Sequence, residues 1–252
     1  MDFTQAVIMG IVEGFTEFLP VSSTGHQIIV SHLLALPQTD FLKSFEIVIQ
    51  LGAILAVVVL YWRQFLNINI LKKLIVGFIP TGIIGLALYK IVKTYLIGNE
   101  TVVLWALLIG GVALIAFEYS HTEGEQDSLE SITYTQAALI GLFQSLAIIP
   151  GVSRSAATIV GGLWLGLKRT TIVEFSFLLA VPTMAAATGL DVLKNAHTIL
   201  SGGVGMLAVG FVVSFVVAIV SIRFLLSFVR SYSFVPFGVY RIVLALVLFW
   251  TI

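Results

Sequence analysis

Six stretches of this chain, about 44–62, 71–90, 101–118, 174–193, 203–223 and 236–252, are apolar almost throughout. A helix needs roughly 20 such residues to cross the hydrocarbon core of a bilayer. Only 10% of the 252 residues are charged and 59% are hydrophobic. A soluble domain carries roughly 25% charged residues, so this chain could not cover an aqueous surface. The expected class is therefore an all-α integral membrane protein. The absence of cysteine excludes disulfides and thiolate metal sites. Zero formal net charge argues against nucleic acid as a partner. Asp2 and Glu13 flank the first apolar run and no basic segment precedes it, which argues against a cleaved signal peptide.

Four further apolar stretches are too short to span: about 5–18, 24–36, 136–149 and 155–167. The first pair is broken by Pro20-Val21-Ser22-Ser23 and the second by Pro150-Gly151-Val152-Ser153. Short apolar arms around a Pro/Ser break predict two re-entrant helical hairpins. Such irregular backbone is tolerated at membrane depth only inside protein or beside water. The hairpins also resemble each other. Gln5-Ala6-Val7-Ile8-Met9-Gly10 aligns with Gln136-Ala137-Ala138-Leu139-Ile140-Gly141, which sets Glu13 opposite Gln144 and Ser22 opposite Ser153. Three spans follow each hairpin, so the two copies must start from opposite sides. The expected architecture is one membrane domain, 1–252, of six transmembrane helices and two hairpins. It is built as an inverted-topology repeat of roughly 1–118 and 134–252.

Basic residues are consistent with both termini facing outward. That layout puts Arg63, Lys72, Lys73, Lys168, Arg169, Arg223 and Arg230 on the cytoplasmic side and Lys43, Lys90, Lys93 and Lys194 outside. The hydrophilic loop 119–133, with Glu123, Glu125, Asp127 and Glu130, would also be cytoplasmic.

The candidate site residues lie in the hairpins. Glu13 and Glu17 are four apart and share a helix face. Carboxylates are costly in a bilayer, so a retained pair suits a cation or a proton; the bland alternative is a solvated edge outside the membrane. Ser22, Ser23 and Thr24 follow Pro20, which ends the arm. They stand at the start of the next helix, where free N–H groups favour an anion. His26 lies three residues after Ser23, on the same face, within reach of a base's role toward a Ser23 nucleophile, with direct attack by His26 as the competing chemistry. An ordinary Ser/Thr helix cap with His26 as a satisfied polar residue is the alternative. Arg154, between Ser153 and Ser155, carries a permanent charge whose planar fork suits phosphate oxygens. Its alternative is a structural pair with Glu13 or Glu17. Together these groups have the composition of a phosphoryl-transfer site: nucleophile, base, cationic clamp and candidate metal ligands. Glu46 and Gln50, four apart, are expected to support the site from behind, and Glu174 and Ser176 open the matching segment. His32, His121 and His197 read as segment-end residues, and Trp62, Trp105, Trp164 and Tyr240 as interface anchors.

The run Glu13-Gly14-Phe15-Thr16-Glu17-Phe18-Leu19-Pro20-Val21-Ser22-Ser23-Thr24-Gly25-His26 closely resembles the first signature of the bacterial undecaprenyl-diphosphate phosphatase family of the bacitracin-resistance type. Pro150-Gly151-Val152-Ser153-Arg154-Ser155 is similar to its second signature, with Ala156 where glycine is usual. Phe45–Gly52 and Glu174–Pro182 resemble the family as well. The resemblance implies a multi-pass inner-membrane hydrolase, with its site open to the periplasmic or outer face. It would convert undecaprenyl diphosphate to the monophosphate, recycling the carrier for cell-wall synthesis. A divalent cation, magnesium or calcium, is implied, and a homodimer is plausible. The rival reading is a transporter or flippase for a polyprenyl phosphate lipid or an ion, since inverted repeats with broken helices also build transporters. An intramembrane serine protease suits two carboxylates and an arginine less well.

Overall fold

The computed structural model describes residues 1–96, 98–122, 124–201 and 203–251, and the side chains of all these except Lys93, 190–201 and Thr251. The side chains of Glu123, Lys93, Lys194 and His197, named above, lie outside the described residues. Among the described residues every regular element is helical, with one isolated β-bridge between Gln126 and Leu167.

The first short pair becomes α1 (Phe3–Thr16) and α2 (Ser23–Leu33). It is followed by α3 (Asp40–Leu60), the short α4 (Trp62–Leu66), α5 (Ile68–Ile91) and α6 (Glu100–Ser120). The second pair becomes α7 (Tyr134–Gln144), extended by a 3-10 turn over Ser145–Ile148, and α8 (Arg154–Trp164). The chain ends with α9 (Arg169–Ser201), α10 (Val204–Phe228) and α11 (Val235–Thr251). Five helices, α3, α5, α6, α9 and α10, are long and apolar enough to cross a membrane, whereas α11 has only 17 residues. Their outward faces carry stripes of exposed aliphatic residues four apart, such as Ile75, Ile79 and Ile83 on α5 and Val212, Val216 and Val220 on α10. Stripes of that extent suit lipid rather than water. The chain is a multi-pass membrane protein.

Local geometry in the first hairpin recurs 131 residues later. Asp2 and Thr133 both open their helix with a capping box that uses Gln5 and Gln136. Gln5 Nε2 donates to Leu34 O at 3.3 Å, and Gln136 Nε2 to Leu165 O at 3.0 Å. Each amide thereby ties the start of a hairpin to its end. Ser22 and Ser153 share a left-handed backbone, with φ of 69° and 72°, and each hydroxyl caps the helix after it. That conformation is uncommon for serine, so its repetition marks one device used twice.

The hairpins pack crosswise. α1 lies on α10 and α3, and α7 lies on α5. Glycines set the approach: a β-carbon on Gly10 would stand 2.7 Å from Gly210 O, and one on Gly141 would collide with Gly77. α8 packs on α9, α3 bridges α9 and α10, and α11 pairs with α6. The main apolar core gathers where the hairpins meet, from Phe18, Leu19 and Val21 to Ile159, Phe175 and Phe177. Phe18 meets Phe177 edge to face, with centroids 5.3 Å apart. On one side, Lys73 donates to Leu129 O and Glu130 O, Lys168 pairs with Asp127, and half-buried Arg169 of α9 pairs with Glu118 of α6. The first two contacts dock the hydrophilic loop on α5 and on the residue before α9, and the third ties α9 to α6.

Candidate active site

Glu17 caps the C-terminal end of α1 with its amide bonded to Glu13 O, and the chain then turns over Phe18–Val21. The turn folds the start of α2 back over the end of α1. Ser23 Oγ therefore donates to Glu17 Oε2 at 2.8 Å. Glu17's other oxygen, Oε1, receives Arg154 Nη2 at 3.0 Å. One buried carboxylate thus joins a hydroxyl from the first hairpin to a guanidinium from the second. Removing one partner of such a pair leaves an uncompensated buried charge, at about 3–5 kcal/mol.

Arg154 is held from three sides. Nη1 donates to Ser176 O at 3.0 Å, the guanidinium carbon lies 5.7 Å from the Phe18 ring centre, and Nε is buried without a partner. Thr158 Oγ1 meets Ser176 Oγ at 2.6 Å, one turn further along α8. Ser155 donates to Phe18 O at 2.7 Å and is fully buried, so its hydroxyl clamps hairpin to hairpin.

Glu13 is fully buried. Its Oε2 accepts from Gln27 Nε2 and its Oε1 has no partner. Glu17 and Glu46 are both close enough to act on it electrostatically. Neither ring nitrogen of His26 is bonded to Ser23. Its Nδ1 lies 2.8 Å from Ser22 O and its Nε2 2.7 Å from Tyr240 Oη. A carbonyl only accepts, so Nδ1 carries a proton; in the neutral ring Nε2 then accepts from the Tyr240 hydroxyl.

A cavity of about 510 Å³ opens beside these groups. Its polar end carries Glu17, Ser22, Ser23, Thr24, Ser153 and Arg154. Phe78, Leu86, Tyr89, Ile148 and Met184 form apolar walls, and Gln50 lines it as well. Ligand pockets are commonly of this kind, mostly apolar with a few convergent polar groups. Of the residues singled out in the sequence, Glu13, His26, Ser155 and Glu46 do not line this cavity. His26 stands behind it, one bond removed, through Ser22, and Glu13 is bonded to Gln27, which does not line the cavity either.

Two residues of α11 were not found by reading the sequence as a site. Tyr240, read as an interface anchor, is 46% exposed yet holds His26. Arg241 is fully buried and donates to Ala106 O, Gly151 O and Val152 O at 2.8–3.1 Å. It fastens the second break to α6. The available signal was an arginine inside an apolar run, which is costly at membrane depth unless satisfied. His32 pairs with Glu100 at 3.0 Å and His121 stacks on Phe117, the segment-end roles expected of them.

Among the described residues no group of three or more acidic or imidazole side chains is placed to enclose a metal ion. The donor set suits a weaker arrangement. Magnesium is commonly bound by one or two carboxylates together with substrate phosphates. Glu13 offers a buried oxygen without a partner, and Glu17 lines the cavity.

Residues 6–247 match the family described as "Bacitracin resistance protein BacA". Proteins named undecaprenyl-diphosphatase are similar along their length. That of a Sulfurihydrogenibium species is 53% identical over 248 residues, covering 98% of each chain. That of Wolinella succinogenes is 53% identical over 250 residues, covering 98% of this chain and 97% of its own. That of Aquifex aeolicus is 49% identical over 245 residues, covering 96% of each. With hairpins, break residues and relatives in agreement, this chain belongs to the BacA bacitracin-resistance family.

Proposed function

We propose that the chain hydrolyses undecaprenyl diphosphate to undecaprenyl phosphate and inorganic phosphate, as a membrane-bound lipid diphosphate phosphatase. The observation that carries the residue-level reading is the chain of bonds Ser23–Glu17–Arg154 at the polar end of an otherwise apolar cavity. The diphosphate lies at the polar end, and the first part of the prenyl tail follows the apolar walls. Arg154 neutralises phosphate oxygens, joined by N–H groups at the starts of α2 and α8.

Ser23 Oγ attacks the terminal phosphorus as its proton passes to Glu17, which already accepts its hydrogen bond. The Ser23 O–P bond forms, the bond from that phosphorus to the bridging oxygen breaks, and undecaprenyl phosphate leaves. Water then attacks the same phosphorus, the Ser23 Oγ–P bond breaks, Glu17 returns its proton to Ser23 Oγ, and phosphate leaves carrying the protons of the water. Sequence spacing suggested His26 as the base. In this geometry Glu17 is the group within reach, and His26 orients Ser22 and the turn. A divalent cation, magnesium or calcium, would be held by Glu13 and Glu17 and would lower the negative charge of the diphosphate. The reaction depends on positioning and charge stabilisation more than on covalent help.

The finer architecture belongs to the same reading. α11 acts as a sixth span where the bilayer thins around it. α1–α2 and α7–α8 are re-entrant hairpins of an inverted repeat, roughly 1–118 and 134–252. The 131-residue recurrence of caps, breaks and closing amide bonds supports this. The protein resides in the inner membrane with its site open to the outer face, and can pair as a homodimer.

The test is phosphate release from undecaprenyl diphosphate by purified protein in detergent micelles, with and without a chelator. Release that stops with chelator and returns with magnesium or calcium is expected. Micelles have no two sides, so lipid binding without phosphate release would favour the transporter reading.

A further inference from the structure

Four glutamines brace the hairpins, and each amide is used within the protein. Gln5 and Gln136 close their hairpins, Gln27 donates to Glu13, and Gln144 donates to Thr81 and Thr183. Gln50 of α3 is different. It is half-buried and lines the cavity together with Glu17, Ser22, Ser23 and Thr24. Among the described residues its side chain has no hydrogen-bond partner. Neither of its amide atoms belongs to the buried atoms that lack a partner, so both are accessible. A primary amide turned to lipid would leave its donors and its acceptor unsatisfied in hydrocarbon. The cavity is where they can be satisfied.

The level of Gln50 in the bundle follows from how α1 and α3 run. Ala6 and Met9 of α1 cluster with Leu42 and Phe45 near the start of α3. Phe18 and Leu19, just past α1, cluster with Ala53 and Ala56 further along α3. The two helices pack together and run the same way. Glu13 on α1 and Glu46 on α3 are near enough to act on each other. Four residues on, about one turn along each helix, Glu17 comes level with Gln50. Both Glu17 oxygens are already taken, by Ser23 and by Arg154, so the Gln50 amide is left to a ligand. The Glu17 carboxylate repels an approaching phosphate. A second cation would offset that repulsion but compete for the same carboxylate. A neutral N–H donor favours the phosphate oxygens and leaves Glu17 to Ser23.

We infer that Gln50 Nε2 donates a hydrogen bond to a non-bridging oxygen of the terminal phosphate, beside the carboxylate that receives the Ser23 proton. This rests on the phosphatase reading and adds to it a substrate contact from α3, outside both hairpins.

The test reads binding, apart from turnover. A prenyl methylenediphosphonate, which cannot be hydrolysed, is titrated into purified full-length protein in detergent with magnesium, and its Kd is read by isothermal titration calorimetry. Gln50→Leu is expected to raise Kd about tenfold or more. Its melting temperature without ligand should match the wild type, because the amide holds no described protein group. Gln50→Glu sets another carboxylate before the diphosphate and should raise Kd further. Unchanged Kd in Gln50→Leu overturns the inference. A wild-type Kd in Gln50→Glu overturns it too, since a carboxylate there would be holding the cation instead of donating to phosphate. If Gln50→Leu fails to fold, Gln50→Met decides by the same measure. Phosphate release from undecaprenyl diphosphate by the wild type tests the phosphatase reading separately. Diphosphonate binding without release would overturn that reading alone, and the Gln50 contact would still be judged on Kd. No binding by the wild type would overturn both.

Discussion

At Ser22 and Ser153 the chain makes the same left-handed turn into an 11-residue helix, yet the next residue is a serine in one hairpin and an arginine in the other. Elsewhere the contrast continues at matched positions. Glu13 corresponds to Gln144, Gln27 to Thr158 and Gly25 to Ala156, each pair 131 residues apart. Backbone features that build a hairpin are kept: the capping box, the closing amide bond, the serine cap and the glycine contact with a crossing helix. Side chains at the polar end of the cavity differ between the two hairpins. The first hairpin supplies a hydroxyl and carboxylates, and the second supplies a cation. A symmetrical pair of hairpins would place like groups together, and two carboxylate sets or two guanidinium groups would repel each other. Divergence lets opposite charges meet at Glu17 and Arg154.

The comparison can be broken at several strengths. Ser23→Ala removes the hydroxyl at the position where the second hairpin has Arg154. Phosphate release should fall by about a thousandfold or more. Ser153→Ala, at the cap of the second hairpin, should change stability by about 1 kcal/mol in thermal melts and activity far less. Equal losses of activity from the two would contradict the proposed division of labour. Arg241→Met strips the second break of its carbonyl contacts. A loss of about 3 kcal/mol or more is expected, seen as a lower melting temperature in detergent. Gly10→Ala and Gly141→Ala press a methyl group into the crossing helices. Both should destabilise by about 1–3 kcal/mol, and similarly, if the hairpins pack alike. Tyr240→Phe removes one hydrogen bond to His26 and should lower turnover about fivefold without lowering the melting temperature much.

Much of the fold was legible because its signals are local. Pro20 and Pro150 mark where helices stop, and Gln5 and Gln136 sit where capping boxes need them. The long apolar runs reappear as α3, α5, α6, α9 and α10 within a few residues. The site was legible as a list of residues and only partly as a set of contacts. Helical spacing puts Ser23 and His26 on one face, but it says nothing of where a break turns that face. The turn over Phe18–Val21 carries Ser23 back to Glu17, six residues earlier, and leaves His26 against Tyr240, 214 residues later. Arg241 was invisible as a support because its partners lie on α6 and on the break, 89 or more residues away. Contacts of that range depend on how helices cross, which no short pattern encodes.

The account rests on the second hairpin's guanidinium serving the first hairpin's hydroxyl. Phosphate release from undecaprenyl diphosphate by purified, folded Arg154→Ala in detergent tests that most directly. A fall of about a hundredfold or more relative to the wild type is predicted. Near-full release by the variant would contradict it.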